Sequence, residues 1–298
     1  RRQRQMCIRD RKAYGFFLAE DGSLWAAGTH EGGVQGTNDG IDHKVLTRIG
    51  TDNDWADMAC SRFWGYSGFA IKTNGTLWAW GKNSAGQLGI GNTQAQTAPV
   101  QVGADMDWKQ VAAGCSSVLA LKTDGSLWGW GFNMYSELFG HEGKQLSPVR
   151  LGSETDWEQV VVIDFRAYAV KKDGTLWAWG DNANNLLGFN TPTEEETTAE
   201  GNPVEVVTVP QITAPTHVTS IEGKVLTISG CENTLSVATG TDGVIEKVWM
   251  LGSNTDGALG DGKGLGNGNK DIPFAKVPVH PSLKSSLKFA GMSSGQNY

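Results

Sequence analysis

One eight-residue phrase recurs along the chain and limits what it can become. Residues 21–28 read DGSLWAAG, 74–81 NGTLWAWG, 124–131 DGSLWGWG and 173–180 DGTLWAWG, and a stretched copy, DGVIEKVWMLG, occupies 242–252. The closing glycines lie 53, 50, 49 and 72 residues apart. A unit of that length is one supersecondary module, and such modules bury their apolar faces by leaning on their neighbours.

The flanks repeat as well. Trp55, Trp108 and Trp157 each open a short apolar strand, as in WKQVAAG at 108–114, and a second strand follows, as in VLALK at 118–122. The Asp-Gly or Asn-Gly pair between apolar runs predicts a hairpin with a type I′ turn, which needs positive φ at two residues. After the third strand comes a loop typified by GKNSAGQLG at 81–89. Gly33, Gly86, Ser136, Asn185 and Gly257 share one position in it, where a left-handed backbone is expected. A fourth strand carries proline, as in APVQV at 98–102 and SPVRL at 147–151, which belongs on a sheet edge because proline cannot donate to the ladder.

Four short strands per unit of about 50 residues describe a propeller blade. The expected fold class is therefore all-β, a β-propeller of four-stranded blades with about five to six blades present. Its units fall near 11–50, 51–104, 105–153, 154–215 and 216–283, with the start of another at 284–298. The repeated tryptophans Trp25, Trp78, Trp80, Trp128, Trp130, Trp177, Trp179 and Trp249 sit in register with the motif. Within each pair, spacing by two puts both rings on one strand face, where they are expected to pack between blades. A tryptophan cluster for light sensing or sugar stacking is the functional alternative.

Residues 1–11, RRQRQMCIRDR, match a translated transposon-end sequencing adapter. Residues 1–10 are accordingly set aside as a scar rather than native sequence, a natural basic tail being the alternative. The scar holds four Arg against Asp10, so without it the formal charge moves from −7 to −10. On this reading the chain starts inside a blade whose first strand is missing and stops inside another. An acidic chain is a poor general binder of nucleic acid or anionic membranes, and no run of about 18 apolar residues predicts membrane insertion. Leaving out Cys7, the cysteines Cys60, Cys115 and Cys231 are odd in number and widely spaced, which predicts neither a disulfide framework nor a zinc site. Cys115 and Cys231 occupy equivalent positions two blades apart and suit small buried residues.

The phrases quoted at 114–131 and 74–89 resemble the regulator of chromosome condensation repeat family, whose pattern is an apolar strand, DG(T/S)LWxWG and then NxxGQLG. The resemblance covers nearly all of 11–298. It implies a propeller, commonly seven-bladed, and the WAWG and GQLG style is similar to the bacterial branch. Ala27 and Leu251 depart from it by replacing the second Trp, and Ile163 stands where unit three has Gly114. The family's eukaryotic founder implies nucleotide exchange on a small GTPase. A secreted bacterial relative that clamps an enzyme with its loops implies a binding scaffold. The expected setting is extracellular or on a bacterial cell surface, as a fragment of a larger multidomain protein, with the cytoplasm as the alternative.

Strand alternation assigns loops to faces. The turn after strand one and the loop after strand three share one face; the Asp-Gly turn and the inter-blade connector share the other. The first face holds most of the irregularity: Arg62, Phe63, Trp64 and Tyr66 after strand one of unit two, and Phe132, Met134 and Tyr135 after strand three of unit three. Phe165 and Arg166 lie in the matching turn of unit four, which also carries an acidic insertion at 191–201, TPTEEETTAEG. Aromatics and Arg on loops held by a rigid frame are interface anchors; the alternative is burial under neighbouring loops.

Catalytic chemistry has no footing in the sequence. His30, His43, His141, His217 and His280 stand singly, without a metal-ligand spacing, and neither a nucleophile elbow nor a P-loop occurs. A calcium reading of Asp261, Asn267, Asn269 and Asp271 lacks the bidentate Glu of an EF-hand and yields to an expanded turn. No cofactor or metal is expected, and the chain is read as a non-enzyme. The expected function is a protein-binding scaffold with an unknown protein partner, the alternative being guanine-nucleotide exchange or other regulation of a small GTPase.

Overall fold

A computed structural model describes residues 5–8, 14–61, 65–183, 186–188, 195–197, 203–205, 211–231, 234–252 and 272–277. Blade one comprises β1 (Gln5–Ile8), β2 (Tyr14–Leu18), β3 (Leu24–Gly28) and β4 (His43–Arg48). Blade two comprises β5 (Trp55–Cys60), β6 (Ser67–Lys72), β7 (Leu77–Gly81) and β8 (Gln96–Gln101). Blade three comprises β9 (Trp108–Ala113), β10 (Ser117–Lys122), β11 (Leu127–Asn133) and β12 (Gly143–Arg150). Blade four starts with β13 (Trp157–Ile163), β14 (Arg166–Lys171) and β15 (Leu176–Asp181). A separate two-stranded ribbon, β16 (Glu195–Thr197) with β17 (Pro203–Glu205), then intervenes before β18 (Gln211–His217) completes the blade. Blade five comprises β19 (Val225–Cys231), β20 (Thr234–Thr241), β21 (Val244–Gly252) and β22 (Ile272–Val277). Five antiparallel four-stranded sheets of this kind make an all-β propeller. Pro99 and Pro148 lie in the outermost strands β8 and β12, the edge position that costs no ladder bond.

The reading of the first residues needs correction in one respect. Set aside as a scar, they were expected to leave blade one without its first strand, yet β1 pairs with β2 from Gln5 opposite Leu18 to Ile8 opposite Gly15. Resemblance to an adapter concerns origin, and it does not stop a four-residue segment from completing a ladder.

The DG(T/S)LW phrase has a local cause. Asp124 Oδ1 accepts both the N–H (2.8 Å) and the hydroxyl (2.6 Å) of Ser126, and the Ser126 hydroxyl oxygen accepts the Trp128 indole N–H at 2.9 Å. The same three bonds link Asp21, Ser23 and Trp25, then Asn74, Thr76 and Trp78, then Asp173, Thr175 and Trp177. Hydrogen bonds from Ser126 hold the Asp124 carboxyl below its ordinary range, and the Ser23 and Thr175 bonds do the same to Asp21 and Asp173. In these four copies only the glycine has positive φ, near 80°, as at Gly75 (81°) and Gly125 (84°). They are three-residue loops ending in a left-handed glycine rather than the expected type I′ turns. The Asx bond explains why, since it fixes the Asp or Asn in place. Only the fifth copy has positive φ at both residues, Asp242 (50°) and Gly243 (76°).

The core lies between the blades. Each of four apolar layers draws on two neighbouring blades, for example Phe69, Leu77 and Leu88 of blade two with Trp108, Val118 and Trp130 of blade three. Trp80, Trp130 and Trp179 are fully buried there, and each indole N–H donates to a main-chain oxygen of the preceding blade: Val34 (2.7 Å), Gln87 (2.8 Å) and Glu137 (2.8 Å). The paired tryptophans do share a face, but at different depths. Trp78, Trp128 and Trp177 are half-buried and meet Trp55, Trp108 and Trp157 edge-on at 6.0–6.1 Å. Lys72, Lys122 and Lys171 at the ends of the second strands lie 4.5–5.1 Å from both rings of each pair. Lys122 is also ion-paired to Asp105 (2.8 Å) and Asp107 (3.1 Å), Lys72 to Asp52 and Asp54, and Lys171 to Asp156.

Around the axis, first strands are stitched by side chains. Gln110 donates from Nε2 to Val160 O (3.1 Å) and accepts from Val160 N–H (3.0 Å), while Gln159 brackets Leu226 O and Ile228 N–H in the same way. These strands enclose a cavity of about 270 Å³ lined by residues including Asp57, Gln110, Val160 and Ser229. The cysteine reading is corrected here too. Cys60 is disulfide-bonded, a bond that an odd count without Cys7 left unforeseen. Cys115 is buried, its thiol 3.7 Å from Asp164 Oδ1.

Candidate protein-binding face

Main-chain bonds fix which loops share a face. The N–H groups of Lys82, Phe132 and Asp181, where the third strands end, donate to the oxygens of Tyr66, Ser116 and Phe165 in the turns after strand one, at 2.9–3.0 Å. At the opposite end, Trp55, Trp108, Trp157 and Val225 donate to the glycine oxygens of the Asp-Gly and Asn-Gly turns, at 2.9–3.2 Å.

The long loops of the first face are pinned from within. The Oδ1 of Asn83, Asn133 and Asn182 accepts the N–H of Leu88, Leu138 and Leu187 at 2.9–3.0 Å, and each leucine is fully buried. The left-handed position is occupied by Gly33 (φ 79°), Gly86 (φ 77°) and Ser136 (φ 66°). Gly89 is required for space: a Cβ there would lie 2.7 Å from Trp130 Nε1. A firm loop base of this kind allows the tips to vary.

Met134, Tyr135 and Phe165 come together on this face. Tyr135, in the loop after β11, and Phe165, in the turn between β13 and β14, stack across the boundary of blades three and four with ring centroids 4.9 Å apart and tilted by 51°. Both are half-buried, and Met134 beside them is 48% exposed. Phe132 is half-buried within β11. Tyr66 packs inward on the layer between blades one and two, 6.0 Å from the Tyr14 ring, with Lys82 Nζ 6.0 Å from its own. Arg62, Phe63 and Trp64 lie outside the described residues, as do Asn185, Gly257, His280, Asp261, Asn267, Asn269 and Asp271.

Arg166 is not a surface anchor. It opens β14 opposite Gly180, the register that Ser67 and Ser117 hold opposite Gly81 and Gly131, and all three are buried. Its guanidinium faces Asp164 at 3.4 Å, also buried. The sequence reading counted Arg166 in the turn; one residue of strand register places it inside.

Glu137 went unnoticed in the sequence, although it replaces the Gln of GQLG. In blade two, Gln87 accepts the Ala85 N–H through Oε1 (2.9 Å) and donates through Nε2 to Gly65 O (3.3 Å). Glu137 accepts the Tyr135 N–H at 2.8 Å and the Ser117 hydroxyl at 3.4 Å. Burial pushes its carboxyl up to about 7, against the pull of those donors. It thus lies directly under the Tyr135 backbone.

The histidines are dispersed. His43 pairs with Asp39 (2.8 Å), His141 contacts Arg150 O, and His217 lies 5.4 Å from the Trp177 ring. Among the described residues no group of three or more His, Cys, Asp or Glu could hold a metal ion, and no helix is long and apolar enough to cross a membrane.

Residues 74–121, from the third strand of blade two through β10, match the regulator of chromosome condensation (RCC1) repeat. Prp20p from Saccharomyces cerevisiae superposes over 92% of the chain with a TM-score of 0.69 at 16% identity. The chain carries an RCC1 repeat and has the fold of an RCC1-type propeller. Human WBSCR16 superposes on this RCC1-like propeller over 89% of its length, with a TM-score of 0.68 at 18% identity. The ultraviolet-B receptor UVR8 of Arabidopsis thaliana is 31% identical over 98 residues, which is 33% of this chain and 22% of the receptor. The chain spans 65% of the human structure and 63% of the yeast one, under two thirds of each.

Proposed function

We propose that this RCC1-like propeller is a non-enzymatic protein-binding scaffold whose partner docks on the face that carries Met134, Tyr135 and Phe165. The observation that carries the reading is the Tyr135–Phe165 pair, a half-exposed aromatic contact bridging two blades. Rigid aromatics supply contact area at little entropic cost, and binding energy concentrates in such anchors. The yeast structure's Prp20p has reported binding properties toward Gsp1p and histones, which supports proteins as the partner class for this fold. Guanine-nucleotide exchange or other regulation of a small GTPase is the second reading, which the resemblance to the family's eukaryotic founder implies. A bacterial, extracellular setting fits the style of the repeats.

A photo-crosslinking side chain at position 134 tests this, with one at Met106 as control. Met106 is 61% exposed in the connector next to the Asn-Gly turn of the other face. Specific capture of one protein from position 134, abolished by Tyr135→Ala at unchanged melting temperature, is the expected result. Equal capture from both positions, or loss only through unfolding, overturns it.

A further inference from the structure

The loop after β11 has a fixed base and a separately held tip. Asn133 holds the base through Leu138 N–H, Leu138 O and His141 O, and the Trp179 indole fixes Glu137 O from blade four. The tip, residues 134–136, is held to blade four by the Tyr135–Phe165 rings and by the Ser136 hydroxyl on Gln211 Oε1 at 3.2 Å. It is held to its own floor by the Tyr135 N–H on Glu137 Oε2 at 2.8 Å. Ser136 has a φ of 66°, at the position that Gly33 and Gly86 fill in blades one and two. A side chain is strained in that left-handed region, so the closed tip carries strain that lifting it relieves.

Glu137 is that floor, and it is sealed from solvent, with 0% exposure. Its carboxyl meets the Tyr135 N–H and the Ser117 hydroxyl, and among the described residues no cation is paired with it. The ionisable groups of the surrounding elements are engaged elsewhere. Arg166 faces Asp164, the Cys115 thiol lies against the same Asp164, and the Tyr168 hydroxyl donates to Leu186 O. His141 contacts Arg150 O, and Lys144 of β12 reaches Ser84 O of blade two. Tyr135 and Asp181 lie at the two loop ends and are bonded through their main-chain N–H groups. A carboxylate only accepts hydrogen bonds, whereas the Gln87 amide of blade two also donates; a neutral Glu137 retains an O–H to give. Charge beneath the closed tip is desolvated, and burial pushes the carboxyl up to about 7. Water reaches it once residues 134–136 lift, with the loop base and the Trp179 bond intact.

We infer that Glu137 is a proton-operated latch for the candidate face: with its carboxyl neutral the tip lies closed and Tyr135 stacks on Phe165, and with its carboxyl ionised the tip lifts, the carboxylate is hydrated and the ring pair parts. The O–H proton passes to solvent, and no other covalent bond changes. The inference rests on the proposed binding face and adds its regulation. The face is assembled in mildly acidic surroundings and taken apart in mildly alkaline ones.

The chain alone tests it, with 4-fluorophenylalanine placed at position 165. Its fluorine resonance is expected to titrate with a midpoint of about 7 as the Tyr135 ring leaves. Protection of the Tyr135 amide from hydrogen exchange, corrected for intrinsic chemistry, should fall about tenfold between pH 6 and pH 8. Glu137→Gln supplies the residue that blade two already folds with; it should hold the resonance at its low-pH position and keep the protection at both pH values. His141→Gln and Glu142→Gln, in the same loop, should leave the midpoint in place. Near-ultraviolet circular dichroism from the tryptophans should not change across the titration. A titration that persists in Glu137→Gln, vanishes in His141→Gln or accompanies loss of that circular dichroism overturns the latch, as does a resonance that stays fixed from pH 6 to pH 8. The expected pattern stands even if the crosslinker at position 134 captures nothing, in which case the binding face fails and the latch does not.

Discussion

The indole N–H of Trp130 donates to the main-chain oxygen of Gln87 at 2.8 Å, across the boundary between blades three and two. This bond gives the second tryptophan of the motif a role that apolar packing alone does not. Trp130→Phe keeps an aromatic ring in the layer but strands a buried carbonyl. We expect a loss of about 1–3 kcal/mol in urea unfolding, and about 3–5 kcal/mol for Trp130→Ala, which adds a cavity.

Glu137 sets a pH dependence of stability. Its carboxyl titrates near 7 in the folded chain, against an ordinary value of 4.5. The folded state therefore holds a proton that the unfolded state has released, so stability is fullest below about 4.5 and falls as pH rises through 7. Glu137→Gln supplies the amide that blade two already uses. It should stabilise the protein by roughly 1–3 kcal/mol at pH 8 and lose that advantage by pH 4.5. Paired melts across pH 4.5–8 measure the convergence.

The turn phrase predicts an asymmetric pair of substitutions. Asp124→Asn reproduces what Asn74 does in blade two, so its effect on the melting temperature should be small. Asp124→Ala removes the acceptor for Ser126 and leaves that hydroxyl free to turn from Trp128, at a cost of about 0.5–1.5 kcal/mol. Circular dichroism melts of both variants are sufficient.

Lys122 lies between two indoles and two carboxylates. Burial disfavours its charge, but hydrogen bonds and charges from Asp105 and Asp107 outweigh that and raise its pKa. Lys122→Met retains the stem's contacts but not the cation. We expect a loss of about 1–2 kcal/mol, with a weaker salt dependence of unfolding than the parent. A salt series of denaturant titrations reads this out.

Much of the architecture was legible because the same local solution is written five times, and repetition exposes which residues cannot vary. The proline-bearing edge strand and the left-handed loop position followed from single-residue chemistry. Depth did not: spacing by two puts Trp78 and Trp80 on one face, but only the neighbouring blade decides that Trp80 is sealed and Trp78 half open. Lys122 was overlooked because a lysine at a strand end looks solvated until the preceding Asp-x-Asp-Trp folds over it. At the candidate face, Tyr135 and Phe165 were anticipated separately. Their contact joins positions 30 residues apart, a distance that no local pattern encodes, and Arg166 was misplaced because turn and strand differ there by one residue.

The apolar layers of this protein belong to no single blade. A lone module of about 50 residues would thus have nothing to fold around, and exchanging one for a foreign module would demand that both flanks match at once. The loop tips are under no such obligation. On the proposed binding face, Met134 and Tyr135 can be exchanged while the shared seams stay fixed, so the frame accepts new loop tips without being rebuilt.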